Sequence, residues 1–285
     1  MATILDGKKL ALKLRENLRL EVDKFKSKGQ RLPGLAVVLV GSDPASQVYV
    51  RNKTRACEKA GMVHRQIDLP ASVSQQDLIT IVQELNEDSS IDGILVQLPL
   101  PKGLDEQEVI KTISPEKDVD GFHPENIGRL VLGQDAFIPC TPYGIIKMIE
   151  TLEIDTSGKE MVIVGRSNIV GKPMALLGLQ RGIDATVTVC HSRTIDLPAV
   201  VSRADIIVAA IGRAKFITAD MVKPGAIVID VGINRLEDGK LCGDVDFEAI
   251  EPICSAITPV PGGVGPMTIA MLISNTVESR KRKGN

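Results

Sequence analysis

The amino-acid sequence predicts an α/β protein built from two parallel-sheet series, the second of them a doubly wound nucleotide-binding domain. Three observations carry this. Aliphatic runs of strand length, such as Leu35-Ala36-Val37-Val38-Leu39-Val40 and Met161-Val162-Ile163-Val164, recur with helical stretches between them. Between about 99 and 141 the rhythm is interrupted by proline, glycine and acidic residues, then restarts, so the 285 residues divide into two series. The second series opens on a strand, turn and helix start, Met161 to Pro173, and in a doubly wound sheet that first turn faces a nucleotide.

Each element follows from local pattern. Over 7–27, Leu10, Leu14, Leu18, Val22 and Phe25 recur at four- and three-residue spacing among charged residues, which predicts an amphipathic helix. The 35–40 strand ends at Gly41; Asp43 suits the cap of the next helix and Pro44 its first turn. A strand near 63–69 precedes a helix from about Ser74, where Ser74-x-x-Asp77 resembles a capping box. Another strand is expected from about Ile91 to Leu98. After a helix start at Thr141-Pro142, further strands are expected near 161–164, 185–190, 205–211 and 226–231. Asp238-Gly239 predicts a hairpin turn between Ile233-Asn234-Arg235 and Leu241-Cys242. A final helix from about Met267 follows a glycine–proline loop. The domain boundaries expected are 1–139 and 140–262, with the last helix, 267–285, returning to the first domain.

Composition excludes several functions. Lys and Arg number 34 against 36 Asp and Glu, a net charge of −2, so no general basic footprint points to nucleic acid or a membrane surface. The basic run Arg280-Lys281-Arg282-Lys283 reads as a solvated helix end. Five scattered cysteines without a C-x-x-C pair indicate neither a disulfide framework nor a metal site. No stretch approaches membrane-spanning length and the first residues do not resemble a secretory signal, so a reducing cytoplasm is expected.

The turn Gly165-Arg166-Ser167-Asn168-Ile169-Val170-Gly171-Lys172-Pro173 is not a P-loop, because five residues separate the glycines and Pro173 follows Lys172. It also departs from G-x-G-x-x-G, with Ser167 at the middle glycine. A variant dinucleotide loop and an ordinary tight βα turn both remain open on spacing alone. The next strand ends in His191-Ser192-Arg193-Thr194, with no acid for a ribose hydroxyl pair. Hydroxyls there, with Arg193 and Arg166, suit a 2′-phosphate and so favour NADP over NAD. A solvated basic loop is the plainer alternative.

In the first domain, Tyr49 and Lys53 lie i and i+4 on one helix face within Ser46-Gln47-Val48-Tyr49-Val50-Arg51-Asn52-Lys53. A lysine beside a phenol in a dry cleft exchanges protons nearer neutrality, whereas an exposed Lys with Tyr packed on its stem has no such role. Gln97, in Val96-Gln97-Leu98-Pro99, is a lone polar residue at the end of an apolar strand, where parallel sheets place their functional clefts. Asp120 in Asp118-Val119-Asp120-Gly121 can accept paired hydrogen bonds from an aminopyrimidine edge, or serve simply as a turn acid. The loop Pro259-Val260-Pro261-Gly262-Gly263-Val264-Gly265-Pro266-Met267-Thr268 has the glycines that let backbone approach a ligand.

Five motifs in order resemble the bifunctional methylenetetrahydrofolate dehydrogenase/methenyltetrahydrofolate cyclohydrolase family: Tyr49-Val50-Arg51-Asn52-Lys53, Gln97-Leu98-Pro99-Leu100-Pro101, Lys117-Asp118-Val119-Asp120-Gly121, Gly165-Arg166-Ser167 with Val170-Gly171-x-Pro173, and Pro261 through Thr268. The resemblance implies a folate-binding catalytic domain and a Rossmann-like NADP-binding domain, with folate in the cleft between them and a homodimer. It implies Lys53 as the catalytic lysine, Tyr49 stacking near the pterin, Gln97 contacting the lysine and Asp120 anchoring the pterin ring. Tyr49, Val50, Arg51, Asn52, Lys53, Val96, Gln97, Leu98, Asp120, Pro261, Gly262, Gly263 and Val264 would border substrate; Gly165, Arg166, Ser167, Ser192 and Ile233 would bind NADP. The reaction implied is oxidation of 5,10-methylene-tetrahydrofolate and hydrolysis of the methenyl product to 10-formyl-tetrahydrofolate. A dehydrogenase without the hydrolase, or a non-catalytic folate or NADP sensor, are the alternatives; the intact Tyr49, Lys53, Gln97 and Asp120 set argues against the sensor.

Overall fold

A computed structural model describes residues 1–284 of the protein. In chain order its elements are β1 (Thr3–Ile4), α1 (Gly7–Ser27), β2 (Gly34–Val40), α2 (Pro44–Lys59), β3 (Val63–Leu69), α3 (Gln75–Glu87), β4 (Gly93–Val96), α4 (Glu106–Thr112), α5 (Pro124–Val131), α6 (Cys140–Glu150), β5 (Glu160–Val164), α7 (Gly171–Gly178), β6 (Thr186–Cys190), α8 (Leu197–Val201), β7 (Ile206–Ala209), β8 (Ile227–Asp230), β9 (Asn234–Arg235), β10 (Leu241–Cys242), α9 (Phe247–Ile250), β11 (Ala256–Ile257) and α10 (Val264–Arg282). They form two compact units. One comprises Leu12–Cys140 and the chain from Ile269 on; the other comprises Met1–Ala11 and Thr141–Thr268.

The first unit holds a three-stranded parallel sheet in the order β3-β2-β4. Every residue of β2 is buried, as a central strand covered on both faces requires. Its Ala36, Val38 and Val40 share a core with Leu78, Val82 and Leu85 of α3 and Val109 of α4. Helix starts follow the expected capping chemistry: Asp43 accepts from the Ser46 amide, and Ser74 accepts from the Asp77 amide. The segment read as irregular contains two helices, each begun by its own cap, Asp105 for α4 and His123 for α5. They were hidden because each is too short for a helical period to register. β4 is shorter than expected, ending at Val96, so Gln97 lies just past the strand.

The second unit carries a six-stranded, all-parallel sheet in the order β1-β11-β8-β7-β5-β6. Val162, Ile207, Val228 and Ile257 from four neighbouring strands meet Val201 of α8 and Ile250 of α9 in its core. β9 and β10 form the antiparallel hairpin expected around Asp238-Gly239.

Two differences from the expected layout have physical causes. Met1–Ala11 belongs to the second unit, because Thr3 and Ile4 pair with Ala256 and Ile257 and the Lys8 amide donates to the Gly262 carbonyl. A two-residue strand is too short to be read from periodicity. The last helix begins at Val264, earlier than Met267, and from Ile269 on it packs with the first unit as expected. All five cysteines are free, four of them buried, and among the described residues no helix is long and apolar enough to cross a membrane.

Asp92 fastens the ends of the first unit together. It is fully buried; Arg31 donates to both its oxygens at 2.7 and 2.8 Å, and the Gly34 amide donates at 2.9 Å. Lys283 lies within 3.4 Å, and Ser279 of α10 donates to the Asp92 and Glu116 carbonyls. Removing one partner of a buried charge pair leaves the other without its partner. Asp92→Ala is expected to cost about 3 kcal/mol, read as a lower denaturant midpoint; a midpoint unchanged from wild type would contradict this account.

Candidate functional site

The geometry of Lys53 begins with the stripe it occupies. Ser46, Val50, Lys53 and Cys57 recur at intervals of four, three and four along α2, and all are buried. The chain thus places an amine where a core residue would sit. Its Nζ donates to Gln97 Oε1 at 3.0 Å, and Gln97 Nε2 donates to the Leu98 carbonyl at 2.6 Å, which fixes the amide's orientation. Burial pushes the Lys53 pKa down, with the Asp120 carboxylate as the main charge acting against that shift. Tyr49, one turn earlier, is more than a third exposed, and burial of its ring side raises the phenol. Val50 and Val96 are packed inside, whereas Arg51 and Asn52 are exposed.

Asp120 is set by its neighbours in sequence. Lys117 Nζ donates to the Leu85 and Asp88 carbonyls at the end of α3. Asp118 accepts from the Phe122 and His123 amides and from Asn126 Nδ2. Gly121 adopts φ +79°, and a Cβ there would lie 2.5 Å from the Pro139 nitrogen, so only glycine lets this loop close. Asn275 of α10 donates to the Val119 and Ile138 carbonyls on the far side. Asp120 itself is part-buried, and burial raises its pKa while Lys53 pulls it down. An amine biased toward neutrality beside a carboxyl biased the same way is a pair able to exchange protons.

In the second unit the turn after β5 is built from two glycines that back one another. A Cβ on Gly165, at φ +137°, would sit 2.2 Å from the Ala210 carbonyl oxygen, and a Cβ on Gly171 would sit 2.2 Å from that of Gly165. Ser167 Oγ accepts from the Val170 amide at 3.1 Å, and the Ser167 carbonyl accepts from the Lys172 amide. Arg166 and Ser167 are exposed, as are Ser192 and Arg193 beyond β6, in a turn closed by His191 and Thr194. Ile233 is half-exposed beyond β8. The glycines of the last loop have a structural use as well: a Cβ on Gly7 would meet the Gly263 carbonyl, and one on Gly263 the Pro259 carbonyl. Both Leu98-Pro99 and Val260-Pro261 are cis.

Comparison with known proteins decides the family. Residues 5–120 match the model of the tetrahydrofolate dehydrogenase/cyclohydrolase catalytic domain, and 139–284 match that of its NAD(P)-binding domain. The chain belongs to the tetrahydrofolate dehydrogenase/cyclohydrolase family. It is 59% identical to the bifunctional protein FolD of Magnetococcus marinus, over 100% of this chain and 99% of that one. The FolD structure from Campylobacter jejuni superposes with a TM-score of 0.96 at 50% identity, covering 99% of this chain and 100% of that one. The dehydrogenase-cyclohydrolase structure from Trypanosoma brucei, complexed with NADP cofactor and inhibitor, gives 0.94 at 37%, covering 99% and 98%.

Within this family frame, the first unit places Tyr49 and Lys53 on one helix, with Lys53 bonded to Gln97 and acted on by Asp120. The second carries Gly165, Arg166, Ser167, Ser192 and Ile233 on turns that leave one edge of its sheet, and Pro261, Gly262, Gly263 and Val264 lie at the foot of α10. Sequence reasoning missed Asn275 and Asp118, because their partners are mainly backbone groups and Asn275 lies among other polar residues, Ser274 and Thr276. The residues of the β5 turn fit a dinucleotide: glycines permit close backbone approach, and no carboxylate stands at the end of β6 to repel a phosphate. Among the described residues no group of three or more His, Cys, Asp or Glu could hold a metal ion. Gly165→Ala forces a Cβ into the Ala210 carbonyl at positive φ, a cost of about 2 kcal/mol or more. Calorimetry should show a lower unfolding temperature; a midpoint equal to wild type would mean that the turn is slack.

Proposed function

We propose that this protein is a bifunctional NADP-dependent enzyme that oxidises 5,10-methylene-tetrahydrofolate to 5,10-methenyl-tetrahydrofolate and hydrolyses the latter to 10-formyl-tetrahydrofolate. The carrying observation is the buried Lys53 amine, hydrogen-bonded to Gln97 and held electrostatically by Asp120. NADP supplies the hydride acceptor when bound. We further assign the protein to the cytoplasm as a homodimer without a nucleic-acid partner. The small net charge and the exposed Leu179, Val189 and Ile195 around edge strand β6 support that reading.

The chain's own groups divide the work. Asp120 meets the aminopyrimidine edge of the pterin and Tyr49 packs on its ring, so the one-carbon bridge is positioned rather than activated in the oxidation. The hydrolysis needs proton transfer. Water adds to the methenyl carbon, and neutral Lys53 takes the proton released as the carbon–oxygen bond forms. The resulting ammonium returns a proton to the ring nitrogen as its bond to that carbon breaks, which restores the amine. The new hydroxyl loses its remaining proton to solvent and becomes the formyl carbonyl, so one proton is released overall. Gln97, its carbonyl oxygen turned to the amine by the Leu98 hydrogen bond, keeps Lys53 on line through both transfers. In the second unit, Arg166 and Arg193, with the Ser167 and Ser192 hydroxyls, hold the 2′-phosphate.

The sign of the pH dependence follows from Lys53. Its folded-state pKa is lowered, so the neutral base persists to lower pH than in free lysine; hydrolysis should fall only as pH drops through that lowered value. Lys53→Ala should reduce methenyl hydrolysis about 100-fold or more, followed by loss of methenyl absorbance, and should remove this limb of the profile. Hydrolysis at the wild-type rate would refute the lysine's role. Arg166→Ala should raise the KM for NADP+ about tenfold while leaving that for NAD+ within about twofold, measured by parallel NADPH and NADH formation. Equal losses for both would take Arg166 away from the 2′-phosphate.

A further inference from the structure

Two carboxylates of the second unit are buried, hydrogen-bonded at both oxygens, and have no part in the chemistry above. Asp244 is fully buried; its Oδ2 accepts from the Ile211 amide at 2.6 Å and the Gly212 amide at 2.9 Å, and its Oδ1 accepts from the Arg213 amide and Asn234 Nδ2, both at 2.9 Å. Asp230, at the end of β8, accepts from the Gly232 and Asp244 amides through Oδ1 and from the Val245 amide through Oδ2. Three successive amides converging on one oxyanion form the concavity that elsewhere binds phosphate. Here the chain fills it with its own Asp244.

The fit is specific. A Cβ on Gly232 would sit 2.2 Å from Asp244 Oδ1, and one on Gly243 would sit 1.7 Å from Asp230 Oδ2, so each acid lies against a glycine with no room for a side chain. Burial pushes the Asp230 carboxyl up to about 6 against the pull of its three amide donors. Buried acids close to one another are a poor source of stability. They do fix backbone conformation, and the backbone they fix lies at one end of the sheet.

The register shows which end. Val164 pairs with Ala209 and Ala209 with Asp230, so the turns after β5, β7 and β8 leave the same carboxyl edge, where doubly wound sheets bind their ligand. The order β8-β7-β5-β6 puts the 191–194 turn on one side of the Gly165 turn and the 210–213 and 231–234 turns on the other. If the former takes the 2′-phosphate half, the latter two face the nicotinamide half. Ile233 is bracketed by these acids: the amide before it binds Asp230 and the side chain after it binds Asp244.

We infer that Asp230 and Asp244 are positioning residues that hold the Ile211–Arg213 turn and Ile233 in the shape that receives the nicotinamide half of the dinucleotide. The inference rests on the proposed NADP dependence. In Asp244→Asn one oxygen must serve four donors while an added N–H faces the amide cluster, so the turn loosens without losing side-chain volume. Calorimetric titration of the full-length variant with NADP+ should show affinity weakened about tenfold or more. Its affinity for 2′,5′-ADP, which carries the 2′-phosphate half alone, should stay within about twofold of wild type, a split that general disruption of the unit would not give. NAD+ should weaken by the same factor as NADP+, unlike the Arg166 variant. Should Asp244→Asn fail to fold, Asn234→Ala removes a single donor and is expected to weaken NADP+ several-fold with 2′,5′-ADP unaffected. A folded variant that binds NADP+ as tightly as wild type, or that loses NADP+ and 2′,5′-ADP together, overturns the inference. Wild-type protein that binds neither compound overturns the NADP reading instead.

Discussion

The interaction on which the site depends is the hydrogen bond between a buried lysine and the amide of Gln97. Withdrawing an ammonium from water is expensive, and the chain offsets that cost only in part, with one neutral acceptor and one carboxylate that is itself partly withdrawn. A complete ion pair would have left Lys53 permanently protonated. A wholly apolar socket would have left it without orientation. The partial compensation leaves the amine biased toward its neutral form and oriented by Gln97, the two properties the proposed proton transfer requires.

The surrounding structure serves to keep that compensation partial and fixed. Lys117 and Asp118 bind backbone on either side of the Asp120 loop, Asn275 grips the same loop from α10, and Asp92 ties the start of β2 and the C-terminal helix to the end of β4's approach. Lys117, Asp118 and Asn275 are buried polar residues satisfied mainly by backbone, and Asp92 mainly by Arg31; such internal partnering sets conformation. The second unit repeats the device with Asp230 and Asp244. In both units, loops at strand ends are ordered by internal charge rather than by apolar packing, which is unavailable where a polar ligand must enter.

Much of this was legible in the sequence, for identifiable reasons. The βα alternation, the caps at Asp43 and Ser74 and the Asp238-Gly239 hairpin are local, and local chemistry decided them. Tyr49 and Lys53 could be placed on one helix face from spacing alone, but not the burial of Lys53, which follows from its sharing a stripe with Val50 and Cys57. Gln97 was visible as a polar residue ending an apolar strand, and its bond to the lysine depends on β4 stopping at Val96. The helices α4 and α5 were lost among turn residues because each has too few turns to show a period. Asp230, Asp244 and Asn275 were invisible as site features because their partners are backbone amides and carbonyls, which every residue possesses and no pattern marks.

The pairing of β1 with β11 sets an order on the assembly of the second unit. Thr3 and Ile4 precede Leu12–Cys140 in the chain, yet complete a sheet whose neighbouring strand, Ala256–Ile257, follows that segment. During synthesis Thr3 and Ile4 must therefore wait, unpaired, while Leu12–Cys140 and strands β5 to β8 are produced, and β11 keeps an open edge until it meets them. A fragment cut to the apparent nucleotide-binding segment alone would carry that open edge permanently and would be prone to pair with its neighbours in solution.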